Sequence, residues 1–207
     1  MEPTDTTRFS PDALFAAGRL SLDFINTSCE RRGEILEFLG SGDDLLRWLR
    51  NAEVVHGRQL IEADEEWSKK DSEAALAEAL ELRAALHDLM ESVVRKQPAP
   101  ASALQRVNAT LKAYPTYSEI KPSDGIFSEA ALSIGGHAWL AAIAQDTVDL
   151  LCHSDLSLLR QCECPTCVRV FFDTTKNHRR RWCVEKCGSA PKAAAYYRRK
   201  MARARLE

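Results

Sequence analysis

Seven cysteines occur in the 207 residues, and five of them lie between Cys162 and Cys187. They form two close-set groups, Cys162-Glu-Cys164-Pro-Thr-Cys167 and Cys183-Val-Glu-Lys-Cys187, separated by fifteen residues. Thiolates spaced in this way suit tetrahedral Zn²⁺, whose structural sites are closed by four Cys or Cys/His ligands. Cys164-Pro-Thr-Cys167 reads as a CxxC knuckle, and Cys183 and Cys187 stand one helical turn apart, so the pattern is close to a two-pair zinc spacing. Five cysteines compete for four places: Cys162 and Cys164 are both near enough to Cys167 to close the site, and His178 is a sixth candidate. Free or redox-active thiols are the competing chemistry for such a cluster. A segment of about 50 residues builds little core of its own, so a metal would supply much of its folding free energy.

The segments around the cysteines say what the metal would organise. Val168-Arg-Val-Phe-Phe-Asp173 alternates and predicts a strand. Thr174 to His178 predicts a turn, and Arg179–Trp182 a returning second strand. Cys187-Gly188 leads to Pro191, a good first-turn residue, and a helix to about Arg205. Knuckle, hairpin and a helix carrying the last ligand describe a treble-clef-like finger. On the terminal helix Ala190, Ala193, Ala194, Tyr197, Met201 and Ala204 make one apolar stripe. Lys192, Arg199 and Arg203 lie opposite, and Arg198 flanks the stripe. Such a helix packs by its small residues and offers arginines to phosphates or guanine edges. Arg179, Arg180 and Arg181 would add a second set of phosphate contacts. A solvated basic tail is the plainer reading of the same charges.

The net charge of −2 hides an uneven distribution. Residues 160–207 carry 13 Lys/Arg against 4 Asp/Glu, and residues 1–159 carry 15 against 26. Opposite signs in the two parts suggest separate tasks, and nucleic acid is the usual partner of a compact basic segment. Apolar content of 45% and charged content of 28% are those of an ordinary globular protein. No apolar run reaches the length of a membrane span, and the polar, acidic start of the chain lacks the form of a signal peptide. The expectation is a cytoplasmic protein without a membrane partner, in which clustered cysteines mean metal rather than disulfides.

Residues 1–159 read as a mainly helical domain with one small β-hairpin. The stretch Leu20-Ser-Leu-Asp-Phe-Ile-Asn-Thr27 fits strand or helix equally. Asp43 or Asp44 can cap a helix through Leu45, Leu46, Trp48 and Leu49. Asp71-Ser72 opens the clearest helix, to about Lys96, ended by Pro98 and Pro100. A shorter helix follows from Ser102 to Lys112. Thr116–Lys121 and Ile126–Leu132, around Ser-Asp-Gly, predict a hairpin. Trp139, Leu140, Ile143, Thr147, Val148 and Leu151 mark a buried helix, and Asp155 caps a short one before the cysteines.

Cys162-x₄-Cys167, Phe171-Phe-Asp173-Thr, the arginines before Trp182-Cys183, Cys187-Gly188, Lys192 and the Tyr-Arg-Arg helix together resemble the CGNR zinc finger. In that family the finger is the C-terminal module of stress-induced transcription regulators, joined to a helical domain named ABATE. Leu20-Ser-Leu-Asp23-Phe-Ile-Asn26-Thr27 is similar to that domain's opening motif. The resemblance implies an ABATE-like sensor or dimerisation domain over residues 1–159 and a finger over 160–207. It also implies Cys162, Cys167, Cys183 and Cys187 as the zinc ligands, which leaves Cys164 as an extra thiol, the alternate ligand. Where the family carries Cys-Gly-Asn-Arg, this chain reads Cys187-Gly188-Ser189-Ala190. Loss of the amide and guanidinium predicts weaker or different DNA reading.

The function expected is therefore a zinc-dependent, DNA-binding transcription regulator. Its first domain would sense a small-molecule effector or form a homodimer. The alternative is a zinc-stabilised module whose basic helix binds an acidic protein partner. Asp23 and Asn26, polar among Leu20, Leu22, Phe24 and Ile25, are candidates either for a ligand pocket or for a cap or turn. No catalytic motif with a mechanism is present, and no enzymatic activity is expected.

Overall fold

The computed structural model describes residues 14–31, 34–61, 67–123, 126–133 and 137–189. Two helices start on the pattern Ser-x-x-Asp. Ser41 caps α2 (Gly42–His56), its hydroxyl accepting the Asp44 N–H at 3.2 Å. Ser68 caps α3 (Lys69–Val94), accepting the Asp71 N–H at 3.2 Å. The aspartates expected as caps sit instead in the first turn. There a carboxylate meets the positive end of the helix while the smaller hydroxyl fits the cap. Gly57 ends α2 with φ 60°, a left-handed conformation that glycine takes without strain.

Helix α3 buries Ala75, Ala79, Leu82, Leu86, Leu89 and Met90 along one side. Helices α4 (Ala101–Ala113) and α5 (Ala138–His153) fall close to the predicted bounds. At the centre lies α1 (Leu20–Ile25), a helix of six residues, every one of them buried. It packs against α3, α5 and the finger. Because all its sides are covered, its sequence shows no amphipathic stripe, which is why helix and strand were equally good readings.

Three antiparallel hairpins lie among the described residues. β1 (Ser28–Arg31) and β2 (Glu34–Glu37) form one that the charged sequence did not announce. β3 (Thr116–Ser123) pairs with β4 (Ile126–Ser133), from Thr116 opposite Ser133 to Ser123 opposite Ile126, as expected. β5 (Leu159–Gln161) and β6 (Val170–Phe172) form the third, after a single 3₁₀ turn, Leu156–Leu158, capped by Asp155. Here the expected pairing is corrected: β6 pairs with β5, and residues 179–182 form no strand. His178 turns the chain with φ 48°, and the Arg180 N–H donates to the Asp173 carboxylate rather than to a strand carbonyl. The protein is thus mainly α, with small antiparallel hairpins and a cysteine cluster near its C-terminal end. No helix among the described residues is long and apolar enough to cross a membrane.

Candidate metal centre and its seat on the helical domain

The four thiols of Cys162, Cys167, Cys183 and Cys187 converge, each sulfur within 4.8 Å of the others. Local backbone geometry brings each one in. The Cys162 N–H donates to Arg169 O at 2.8 Å, closing the β5–β6 loop. The Cys167 N–H donates to Cys164 O at 2.9 Å, which is the knuckle turn. Glu163 N donates to Arg181 O at 3.0 Å, drawing the second group toward the first. Residues 185–189 are helical, which aims Cys187 back toward Cys183.

The spacing fits a tetrahedral metal. Cys167 Sγ lies 3.7 Å from Cys183 Sγ, and Cys183 Sγ lies 3.7 Å from Cys187 Sγ. Zinc–sulfur bonds of about 2.3 Å in a tetrahedron give an edge of about 3.8 Å. A disulfide would need about 2.05 Å, and all seven cysteines are free. The Cys183 N–H points at Cys162 Sγ, 3.4 Å away, a contact that favours the thiolate. Hydrogen bonds from Cys167, then Cys183 and Cys187, hold the Cys162 thiol far below the usual thiol range. Cys164 stays outside this group; its sulfur lies 3.5 Å from Thr166 Oγ1. His178 is also outside it, with Nδ1 3.2 Å from the Asp173 carbonyl.

Asp173 organises the loop between the cysteine groups. Its fully buried carboxylate accepts from the Thr175 N–H at 3.0 Å, the Thr175 hydroxyl at 2.5 Å and the Arg180 N–H at 2.8 Å. Burial alone would raise its pKa. The bonds from Thr175 and Arg180, with Arg160 3.7 Å away, outweigh burial and hold it below the usual carboxylate range. Gly188 is tightly placed: a Cβ there would lie 2.9 Å from the Trp182 ring.

The arginines divide into different roles. Arg179 is exposed. The Arg180 guanidinium lies 4.5 Å over the Phe171 ring and donates to the carbonyls of Ala16 (2.7 Å), Trp182 (3.0 Å) and Cys183. Arg180 is therefore a clamp inside the molecule, with few donors left for another partner. Arg181 donates to Glu163 from Nε at 2.7 Å, and its guanidinium lies over Trp182. Lys192, Arg198, Arg199 and Arg203, on the expected terminal helix, lie outside the described residues.

Asp23 and Asn26 seat the finger and the chain's opening segment against α1. The Asn26 amide donates to Val170 O at 2.8 Å and accepts from Val170 N at 3.3 Å. The Phe172 N–H donates to Ala17 O at 2.8 Å. Asn26 and Ala17 thereby cover the β6 edge that β5 leaves open, as an exposed edge requires. Gly18 permits this approach; at φ 81°, its missing side chain would meet Phe172 O at 3.1 Å. Asp23 accepts from Ala17 N at 2.8 Å and lies 3.0 Å from His56 Nε2; burial pushes its carboxyl up. Both residues are thus engaged by the protein's own groups. The motif marked their importance, but His56 and Val170, distant in sequence, gave no local sign of being their partners.

Four converging cysteines mounted on a helical body define the class: a protein that carries a zinc-finger type of module after a helical region. Residues 18–154 match the ABATE family model, described as "Putative stress-induced transcription regulator", and residues 159–200 match that of the CGNR zinc finger. The first match covers more than half of the chain, and the protein belongs to this family. No curated protein matches it.

Proposed function

We propose that this protein is a DNA-binding transcription regulator whose finger is folded by one zinc ion held by Cys162, Cys167, Cys183 and Cys187. One observation carries the reading: four thiols within 4.8 Å of one another, two of their edges at 3.7 Å, joining the knuckle to a helical segment, in a chain of a transcription-regulator family. The metal supplies a structural cross-link that requires deprotonated cysteines. This chain's residues do the rest. Asp173 and Arg180 shape the loop, and Arg179 at its exposed corner offers a guanidinium to phosphate. Arg181, sharing Glu163, adds a weaker contact. Lys192, Arg198, Arg199 and Arg203 add positive charge farther along the same basic segment of the sequence. Phosphate contacts then dominate affinity and make it salt-dependent. Ser189 and Ala190, in place of Asn-Arg, reduce base reading.

The helical domain senses an effector or forms a homodimer in this reading. A cavity of about 340 Å³ supports the first role. It is lined by Ile25, Cys29, Leu80, Arg83 and His87, and by Val168 next to the knuckle. A ligand there would touch both the helical body and the finger. Neither Asp23 nor Asn26 lines it, so the effector role passes to Arg83 and its neighbours.

Selection of bound genomic fragments, with zinc-replete and chelated full-length protein in parallel, tests the proposal. Enrichment of shared fragments only with zinc is expected. No enrichment by protein that retains its zinc overturns it and favours an acidic protein partner for the same surface.

A further inference from the structure

Of the five cysteines between Cys162 and Cys187, Cys164 is the one left outside the converging four. It is half-buried, and so is Cys167, whereas Cys162, Cys183 and Cys187 are buried. Pro165 and Thr166, which separate the two, are exposed. The spare thiol and the most accessible of the four ligands therefore stand together where solutes reach them.

The backbone suits this pair to a covalent bond. The Cys167 N–H donates to Cys164 O at 2.9 Å, which makes residues 164–167 a β-turn with Pro165 and Thr166 at its corners. The ends of a β-turn bring their Cα atoms within about 7 Å, and a disulfide spans about 4.4–6.8 Å between Cα atoms. A Cys164–Cys167 bond thus asks for side-chain rotation and no new backbone path. Thr166 Oγ1, 3.5 Å from Cys164 Sγ, keeps that sulfur beside the turn.

We propose that Cys164 is an oxidation site, at which a hydroperoxide joins Cys164 to Cys167 and removes one of the four metal ligands. The chemistry balances in two steps. The Cys164 thiol takes the terminal oxygen of a hydroperoxide, ROOH, and becomes a sulfenic acid while ROH leaves; sulfur loses two electrons and the broken O–O bond gains them. The Cys167 thiolate then attacks that sulfur, the S–S bond forms, the S–O bond breaks and hydroxide departs. Cys164 takes the first step because it is accessible and committed to no metal. Cys162, Cys183 and Cys187 remain, one thiolate short of a closed tetrahedral site. The knuckle then loses its tie to the second cysteine group, and a thiol reductant restores it.

This inference adds regulation to the zinc reading of the same site and rests on it. Its test is hydrogen peroxide added to the zinc-loaded full chain, with zinc release followed by a chromophoric chelator and cysteine pairing by mass spectrometry of peptides. The wild type is expected to lose its zinc, to form the Cys164–Cys167 disulfide, and to reload after reductant and zinc are added. Cys164→Ser keeps all four ligands and is expected to release zinc several-fold more slowly. Cys152→Ser, at an exposed cysteine of α5, is expected to behave as the wild type. Zinc retained by the wild type under peroxide, equal release from Cys164→Ser, or a disulfide between other cysteines overturns the oxidation site and leaves the metal reading intact. A wild type that holds no zinc before peroxide overturns the metal reading, and the oxidation site with it.

Discussion

Replacing Asn26 by Ala is the most informative perturbation of the seat between α1 and the finger. The Asn26 amide holds both backbone groups of Val170, at 2.8 and 3.3 Å, and both residues are buried. Alanine leaves a donor and an acceptor without partners in a space that water reaches poorly. An unsatisfied buried polar group costs about 1–3 kcal/mol, and the 3.3 Å bond lies toward the weak end, so the loss should be about 2–4 kcal/mol. For a chain of this size, 3 kcal/mol corresponds to about 6–12 °C in Tm. The assay is urea or thermal unfolding of zinc-replete protein, with zinc release to a chromophoric chelator as a second readout. Release should quicken, because β6 carries the strand that returns from the knuckle. Asn26→Asp keeps the shape but sets a carboxylate against the Val170 carbonyl and should cost at least as much. A loss below about 0.5 kcal/mol, the range of surface substitutions, would refute the reasoning.

Other predictions follow from the same contacts. Asp173 has its pKa held below the ordinary 3.8, so its contribution to stability is present above that value and is lost as pH falls through the lower folded value. Asp173→Asn should cost about 3 kcal/mol at neutral pH and flatten the acid limb of a stability-against-pH curve. Arg179→Ala should leave Tm unchanged and reduce the salt slope of DNA binding by about one contact, measured by titration at several salt concentrations. Arg180→Ala should instead lower Tm, since three carbonyls lose their donor. Metal analysis of purified variants should find one zinc per chain in Cys164→Ser and none in Cys167→Ser.

What was legible in the chain depended on the range of the interaction. Cysteine spacing is local, so the convergence of the thiols could be read directly, and so could α3, whose apolar positions recur over many turns. The choice between Cys162 and Cys164 could not be made from spacing, since both lie near enough to Cys167; in the structure Cys164 Sγ sits beside Thr166. The finger's hairpin was assigned the wrong partner strand. Three residues, Leu159–Gln161, are too short to show alternation, and Arg179–Trp182, read as the returning strand, forms none. β1 and β2 escaped because Glu30, Arg31, Glu34 and Glu37 mask any apolar pattern. The seat on α1 was invisible for a different reason: Asn26 and Val170 are 144 residues apart, and only folding makes them partners.

The central claim is that zinc at the four converging cysteines makes this chain competent to bind DNA. Fluorescence anisotropy tests it most directly, with the full-length protein titrated into labelled duplex at about 50 mM salt, where phosphate contacts are strong. The titration is made zinc-replete, after chelation, and after zinc is restored. Salt-sensitive binding that disappears on chelation and returns with zinc is the expected outcome. Equal affinity with and without the metal, or no binding by the zinc-replete chain, would contradict it.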